Sequence, residues 1–410
     1  MQVLKRQIGL WGAVWLGLGS ILGTGVFVSI AVATQVAGAG VLVGILLASL
    51  IAICNGLNSA QLAASHPVSG GTYEYGYRYL HPWFGFMAGW LFLLAKSASA
   101  ATAALGVSAY LARLGLAVEA RWVGVITVAM MTAVVFLGVK RSGLINTVIV
   151  AVTLLALLCF IALGFPTTTQ SPSFSIEPRA TMQATALMFV AYAGYARIAT
   201  LGEEVVNPRR TIPWAVVLTI LLTLLLYLGV GAVGVRGGIT QVLPSDAPLA
   251  DLLQLWGYPL PSKLVTIGAI TALLGVLLNL ILGLSRIVLA MARRGDLPGF
   301  LAQLNSDRTN PPGAVISVGV GIALLTLLGS VKTTWSFSAF NVLCYYTVTN
   351  LCAWRLPPGE RMFPKGLAVG GLFACGMLAF WVDWQVWLVG LGLLGILSLV
   401  YGLTRRAEVG

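Results

Sequence analysis

The sequence predicts an all-α integral membrane protein of about 12 transmembrane helices. Three observations predict it. Hydrophobic residues make up 58% of the chain and charged residues only 9%, whereas a soluble domain carries about 25% charged residues. Charge-free stretches long enough to cross a bilayer recur, residues 41–63 and 215–235 among them; a span needs roughly 20 apolar residues. Basic residues are also distributed unevenly between the segments that join these stretches, as expected of a chain threaded through a membrane. With a mean hydropathy of +0.93, no room is left for a soluble domain of ordinary size.

Apolar runs and their charged boundaries place the spans at residues 8–32, 40–64, 82–112, 122–139, 144–163, 184–205, 212–235, 262–292, 314–328, 336–354, 366–381 and 385–403. The run after the basic residues 1–6 has no small-residue cleavage site and is too long for a signal peptide, so it is read as a retained first span. With the N-terminus inside, 15 of the 24 basic residues fall in inward loops and tails and 6 in outward loops. The other 3, Lys96, Arg197 and Arg286, lie within or at the edge of spans. This bias predicts an even number of spans and cytoplasmic termini in a plasma (inner) membrane. It also accounts for the net charge of +12 without a nucleic-acid partner; the lipid bilayer is the expected surroundings. Cys54, Cys159, Cys344, Cys352 and Cys375 all sit in apolar stretches with no CxxC pair, so inert thiols are expected rather than a disulfide framework or a zinc site.

Two spans are interrupted. The first contains Gly19-Ser20-Ile21-Leu22-Gly23-Thr24-Gly25, and the sixth contains Ala191-Tyr192-Ala193-Gly194-Tyr195. Each glycine inside a helix costs about 1 kcal/mol relative to alanine. Backbone groups freed in hydrocarbon must line a protein cavity or meet a ligand. Five spans precede the second interruption, which is the layout of two five-helix repeats that each open with a broken helix. Paired breaks of this kind point to a transporter binding site. The expected division is a ten-helix transport core over residues 1–354, with repeats at 1–165 and 182–354, and two further helices over 355–410.

At this point the chain resembles the amino acid–polyamine–organocation (APC) superfamily of permeases. Four segments carry the resemblance, in the family's order and spacing. They are Gly19 to Phe27 in the first helix, Pro67-Val68-Ser69-Gly70-Gly71-Thr72-Tyr73 with Gly89-Trp90, Glu203-Glu204-Val205-Val206-Asn207-Pro208-Arg209-Arg210-Thr211-Ile212-Pro213, and Ser285-Arg286 through Gly295-Asp296-Leu297-Pro298. The resemblance implies a leucine-transporter-like fold of five plus five inverted helices with helices 1 and 6 broken. It departs from the pattern in three places. Many members carry an acidic residue two positions after the sixth-helix glycine, where this chain has Ala196 and then Arg197. Several proton-coupled members carry a fifth-helix lysine, where this chain has Thr153, and a lysine stands instead in the third span as Lys96.

The expected substrate site consists of Ile21, Leu22, Gly23, Thr24 and Gly25 with Val190, Ala191, Tyr192, Ala193 and Gly194. Free amides at Gly23, Thr24 and Gly25, at the positive end of the following half-helix, suit a substrate carboxylate. Carbonyls at Ile21, Leu22 and the sixth-helix break suit an ammonium. The alternative is close packing through small residues. Tyr192 and Tyr195 either shape the pocket or pack with locally satisfied hydroxyls. Lys96 lies deep in its span, where a lysine costs about 2.5–3.5 kcal/mol on insertion scales; it is read as a coupling group or as a structural lysine bonded to backbone carbonyls. Arg197 cannot practically deprotonate, and is read as a gating or anion-pairing group or as the partner of Glu203 or Glu204. Asn341, Tyr345 and Thr349 share a helix face and either line the pathway or bond between helices.

All 12 acidic residues fall in loops or at span ends, which argues for a neutral, or alternatively anionic, substrate. An enzyme is not expected: the only histidines, His66 and His81, lie in one loop with no intramembrane carboxylate beside them. No cofactor or metal is expected either. The sequence therefore points to a secondary carrier of amino acids, neutral ones first, or related amines, working by alternating access with proton coupling or exchange. The alternatives are a nutrient sensor or channel-like protein on the same fold, and a carrier of cationic amines or polyamines.

Overall fold

The computed structural model describes residues 8–66, 70–115, 119–137, 143–167, 176–199, 205–242, 245–305 and 311–407. Residues 1–6, Pro67, Val68, Ser69, Glu203 and Glu204, which the sequence reading singles out, lie outside the described residues, as do the loop cations Lys140, Arg141 and Arg308. The chain runs through helices α1 (Leu10–Ile21), α2 (Ile30–Ala37), α3 (Val41–Ser65), α4 (Thr72–Tyr79), α5 (Pro82–Ala112), α6 (Ala120–Phe136), α7 (Gly143–Thr167), α8 (Pro178–Tyr192) and α9 (Ala196–Ala199). It continues through α10 (Pro208–Arg236), α11 (Ile239–Val242), α12 (Pro248–Leu255), α13 (Pro259–Arg294), α14 (Pro312–Leu328), α15 (Val331–Arg355), α16 (Lys365–Leu378) and α17 (Trp384–Ala407). No strand occurs among the described residues beyond one isolated bridge between Ile8 and Val205.

Every predicted span coincides with helical structure. Among the described residues, six helical stretches are individually long and apolar enough to cross a membrane: Gly25–Ser65, Pro82–Ala112, Asn146–Thr167, Pro208–Arg236, Pro259–Arg294 and Trp384–Leu403. Shorter apolar helices occupy Leu10–Ile21, Ala120–Phe136, Pro312–Leu328 and Lys365–Trp381. Of the helices longer than eight residues, α8 and α15 fall in neither group; they are the polar ones, and their hydroxyls and amides turn inward: Thr181, Thr185, Ser336, Ser338, Asn341 and Asn350 are all buried. The sixth span also starts earlier than residue 184. Pro178 suits the first position of a helix, and Gln183, which reads as a loop residue, donates from Nε2 to Asp383 at 2.8 Å.

Burial sorts the helices into inner and outer ones. In α5, 78% of the apolar window is buried, against 6% in α17, so α5 is central and α17 borders the surroundings. One group of helices packs α1 on α10, α3 on α8 and α10, and α2 on α8. A second packs α5, α6, α13 and α14 together. Helix α15 touches both through α3, α5 and α8, and α7 bridges them through α10 and α13.

The segment leading into α16 is tied to this core by a chain of buried amides on α3 and α15. Asn350 Nδ2 donates to Asn55 Oδ1 at 2.5 Å, Asn58 Nδ2 to Asn350 Oδ1 at 2.7 Å, and Gln61 Nε2 to Asn58 Oδ1 at 2.9 Å. The backbone amides of Met362 and Phe363 close the chain on Gln61 Oε1, both at 3.2 Å. Inside a low-dielectric core a satisfied network of this kind fixes register.

Candidate functional site

The two interruptions meet. Helix α1 stops at Ile21 because Leu22 leaves the helical region (φ −75°, ψ 110°). A π turn over Gly25–Ser29 then restarts the chain into α2. The Gly23 carbonyl accepts from the amides of Val26 at 3.3 Å and Phe27 at 3.1 Å, and the Ser29 hydroxyl donates to the Gly25 carbonyl. Helix α8 ends at Tyr192 and tightens into a 3₁₀ turn over Ala193–Tyr195 before α9. A Cβ on Gly194 would fall onto the carbonyl oxygen of Ser20, and one on Gly25 onto the hydroxyl of Tyr227 with the Ala191 carbonyl 3.1 Å away. Only glycine permits these approaches. The glycines let the two broken helices draw together around the Ser20 and Ala191 carbonyls.

Tyr227 of α10 lies between the breaks. Its hydroxyl donates to the Ala191 carbonyl at 3.2 Å and stands 3.4 Å from the Ile21 carbonyl. The Tyr192 ring lies 5.2 Å from that of Tyr227, and the Tyr192 hydroxyl reaches the Ile45 carbonyl of α3 at 3.4 Å. Sequence reasoning missed Tyr227. Its only signal is that it is the one hydroxyl-bearing aromatic in the aliphatic span 212–235.

Of the expected site residues, Ile21, Leu22, Thr24, Val190, Ala191, Tyr192 and Ala193 are buried around this junction, and Gly194 is half-buried. Tyr195 packs its ring 5.5 Å from Tyr346 of α15. Arg197 sits on α9 with its side chain exposed. Thr153 is buried in α7 and donates to its own helix at the Ile149 carbonyl, 2.7 Å away. Lys96 is half-buried in the middle of α5. It makes no hydrogen bond or ion pair among the described residues, so the backbone-bonded alternative finds no support. Asn341 is fully buried; its Nδ2 donates to the Phe337 carbonyl at 2.8 Å, and its Oδ1 has no partner. Tyr345 and Thr349, on the same face, bond between helices instead. Tyr345 Oη accepts from the Thr72 amide at 3.2 Å, and Thr349 Oγ1 stands 2.7 Å from Thr72 Oγ1.

Two of the motif segments also meet, at the loop end of the bundle. Asp296 Oδ2 accepts from the hydroxyls of Tyr73 at 2.6 Å and Tyr77 at 2.7 Å. Arg294 pairs with Glu74 at 2.5 Å and stacks 4.1 Å from the centre of the Tyr77 ring. Burial, then the bond to Asp296, pushes the Tyr73 hydroxyl well above the ordinary tyrosine range, so it stays protonated and donating. The segment around Gly71-Thr72-Tyr73 thus fastens α4 to the end of α13. Near it His66, at the end of α3, is held below the ordinary histidine range by burial and by Arg78. No group of three or more histidine, cysteine or acidic side chains arranged to hold a metal occurs among the described residues.

A family model described as amino acid permease matches residues 12–357. An uncharacterized transporter of Mycobacterium tuberculosis is 38% identical over 99% of this chain and 93% of its own length. The branched-chain amino acid permease of Bacillus subtilis is 29% identical over 78% of this chain and 74% of its own. The cationic amino acid transporter 3, mitochondrial, of Arabidopsis thaliana is 27% identical over 89% of this chain and 65% of its own. With broken helices joined at their breaks, motif segments that pack on one another, and a match over most of its length, the chain is a multi-pass membrane transporter that belongs to the amino acid permease family of the APC superfamily.

Proposed function

We propose that the protein is a secondary carrier that moves amino acids, neutral ones first, or related amines across the plasma membrane by alternating access. The observation that carries this reading is the meeting of the two breaks, where Gly194 touches the Ser20 carbonyl and the Ile21 and Ala191 carbonyls converge on one hydroxyl. The amides of Gly23, Thr24 and Gly25 take the substrate carboxylate at the start of the outer half-helix. The carbonyls of Ile21, Leu22, Val190 and Ala191 take its ammonium, with Tyr192 and Ala193 beside them. The first ten spans form two inverted repeats of five, the last two stand outside them, and both termini are cytoplasmic. The group built on α1, α3, α8 and α10 rocks against the group built on α5, α6, α13 and α14, with Tyr195, Arg197 and Asn341 near the moving seam. Transport is coupled to protons or to exchange. Lys96, in place of a lysine at Thr153, is the ionisable group the cycle would use.

One relative is named for cationic amino acids. Against carriage of cations here, the acidic side chains among the described residues lie in loops or at helix ends, at Glu74, Glu119, Glu177, Asp246, Asp251, Asp296, Glu360 and Asp383, and a guanidinium or polyamine at the breaks would lack a counter-charge.

The thermal midpoint of the purified protein against a panel of amino acids, amines and short carboxylates, with and without sodium, tests this reading. A ligand of the native state raises the midpoint by mass action. Neutral amino acids raising it without sodium is the expected result. A rise only with cations, or only with sodium, overturns the substrate or coupling part. Gly23→Val is expected to abolish that rise, and uptake with it, while the folded protein remains in the membrane. Normal uptake by this variant would remove the first break from the site.

A further inference from the structure

Helices α5 and α15 face each other along a measurable register. Thr102 Oγ1 stands 2.8 Å from Thr334 Oγ1, Ser99 Oγ stands 2.7 Å from Ser338 Oγ, and the rings of Phe92 and Tyr345 lie 5.4 Å apart. The two chains run in opposite directions, so each step down one helix meets a step up the other. Three residues from Ser99 and four from Phe92 stands Lys96; three residues from Ser338 and four from Tyr345 stands Asn341. Side chains spaced by three and four share a face. Lys96 and Asn341 therefore occupy the one level of the facing stripes that the polar and aromatic pairs leave open.

At this level one buried acceptor has no partner, and one lysine makes no bond among the described residues. Asn341 is fully buried and its amide is oriented by the bond to the Phe337 carbonyl, which leaves Oδ1 as an acceptor without a partner. Lys96 makes no hydrogen bond or ion pair among the described residues, and its side chain is only half-buried. Buried polar groups are otherwise almost always paired, and in hydrocarbon they have no solvent to turn to. The stretch of α15 that carries Asn341 also runs beside the sixth-helix break: Trp335 Nε1 donates to the Leu187 carbonyl at 3.0 Å, and the Tyr346 ring lies 5.5 Å from that of Tyr195.

We infer that Lys96 and Asn341 form a side-chain subsite of the transport site, selecting neutral amino acids whose side chain carries both an acceptor and a donor, an amide or a hydroxyl. This rests on the carrier reading and names its substrate class. The chemistry of the two groups fixes the class. The lysine only donates and Asn341 Oδ1 only accepts. A side-chain amide satisfies both, its carbonyl toward Lys96 and its NH₂ toward Asn341. A hydroxyl does so through one oxygen. A carboxylate satisfies the lysine but sets its own charge against Oδ1, and an aliphatic side chain leaves both groups unpaired. Sites built to hydrogen-bond a substrate group reject analogues that lack it more strongly than apolar pockets reject a missing methylene.

The test is titration of the purified full chain with glutamine, serine, glutamate and leucine, read by thermal midpoint, in the unsubstituted protein and in Lys96→Met, Lys96→Gln and Asn341→Leu. Glutamine is expected to bind at least about tenfold more tightly than leucine. Lys96→Met and Asn341→Leu each remove most of that preference, and a cooperative unliganded melt with a single size-exclusion peak reports that they fold. Lys96→Gln, which keeps a donor at the same level, retains part of it. Leucine bound as well as glutamine, or a preference unchanged in both Lys96→Met and Asn341→Leu, overturns the subsite and leaves the carrier reading standing. Glutamate as the tightest ligand, with Asn341→Leu without effect, also overturns it. Binding of no amino acid at all overturns the subsite together with the carrier reading.

Discussion

The first interruption ends α1 with an extended residue, Leu22, and recovers through a π turn, whereas the second stays close to helical and only tightens into a 3₁₀ turn over Ala193–Tyr195. The neighbours differ as well. Gly25 in the first break abuts the end of a side chain, the Tyr227 hydroxyl, and Gly194 in the second abuts backbone, the Ser20 carbonyl. The first break frees more backbone, and Gly25 is confined first by a side chain that can be trimmed. The second frees less backbone, and its single glycine is confined by something that cannot. Two interruptions that look alike in sequence thus differ in structure: one frees backbone groups, and the other brings the end of α8 against α1.

The largest expected effect follows from that difference. In Gly194→Ala the added methyl meets a carbonyl of α1, and relief requires moving one broken helix off the other. Overpacking of this kind costs about 1–3 kcal/mol, and the upper end applies because the nearest atom is a backbone carbonyl oxygen. The thermal midpoint should fall accordingly and uptake should drop to background. Trimming Ile21, whose Cγ1 lies 2.7 Å from where that methyl would sit, should not restore it. Recovery through Ile21→Ala would mean that the backbone contact is not what confines Gly194.

Much of this architecture was legible locally. The third span, residues 82–112, matches α5 to the residue, because Pro82 opens the helix and His81 caps it, its Nδ1 accepting from the Trp83 amide at 3.2 Å. The first break was legible from glycine density within an apolar run, and the second from a lone glycine among small residues and tyrosines in the sixth span. What escaped is set by partners far away in the chain. Nothing around residue 227 signals that its hydroxyl reaches carbonyls near residues 21 and 191. The amide chain through Asn55, Asn58 and Asn350 was likewise invisible, because each amide alone reads as an ordinary polar interruption of a span. Tyr345 and Thr349 read by their spacing as pathway or interhelical residues; they bond between helices, to α4, a loop helix with no counterpart in the hydropathy pattern.

Gly25→Ala should cost less than Gly194→Ala, about 2 kcal/mol by the same overpacking range, and it should be repairable. The added methyl meets the Tyr227 hydroxyl, with the ring carbon Cζ behind it at 3.0 Å. Combining it with Tyr227→Phe removes the closer atom and leaves the farther one, so roughly half of the lost stability should return, a coupling that a double-mutant cycle measures directly. Strictly additive losses would show that Tyr227 does not confine Gly25, and the contrast between the two breaks would lose its basis.

The smallest effect is expected from Tyr227→Phe alone, and it bears on what the freed carbonyls are for. The substitution removes one bond at 3.2 Å and one long contact at 3.4 Å. Long neutral hydrogen bonds contribute about 0.5–1.5 kcal/mol net, so the midpoint should fall only slightly. The Ile21 and Ala191 carbonyls, however, lose a competing donor at the place where the proposed site takes an ammonium. If those carbonyls hold the substrate amine, KM for uptake should stay the same or fall, because the amine no longer shares its acceptors. A KM raised about tenfold, some 1.4 kcal/mol, with stability nearly intact would instead make the Tyr227 hydroxyl a direct substrate contact and move the ammonium away from the junction of the two breaks.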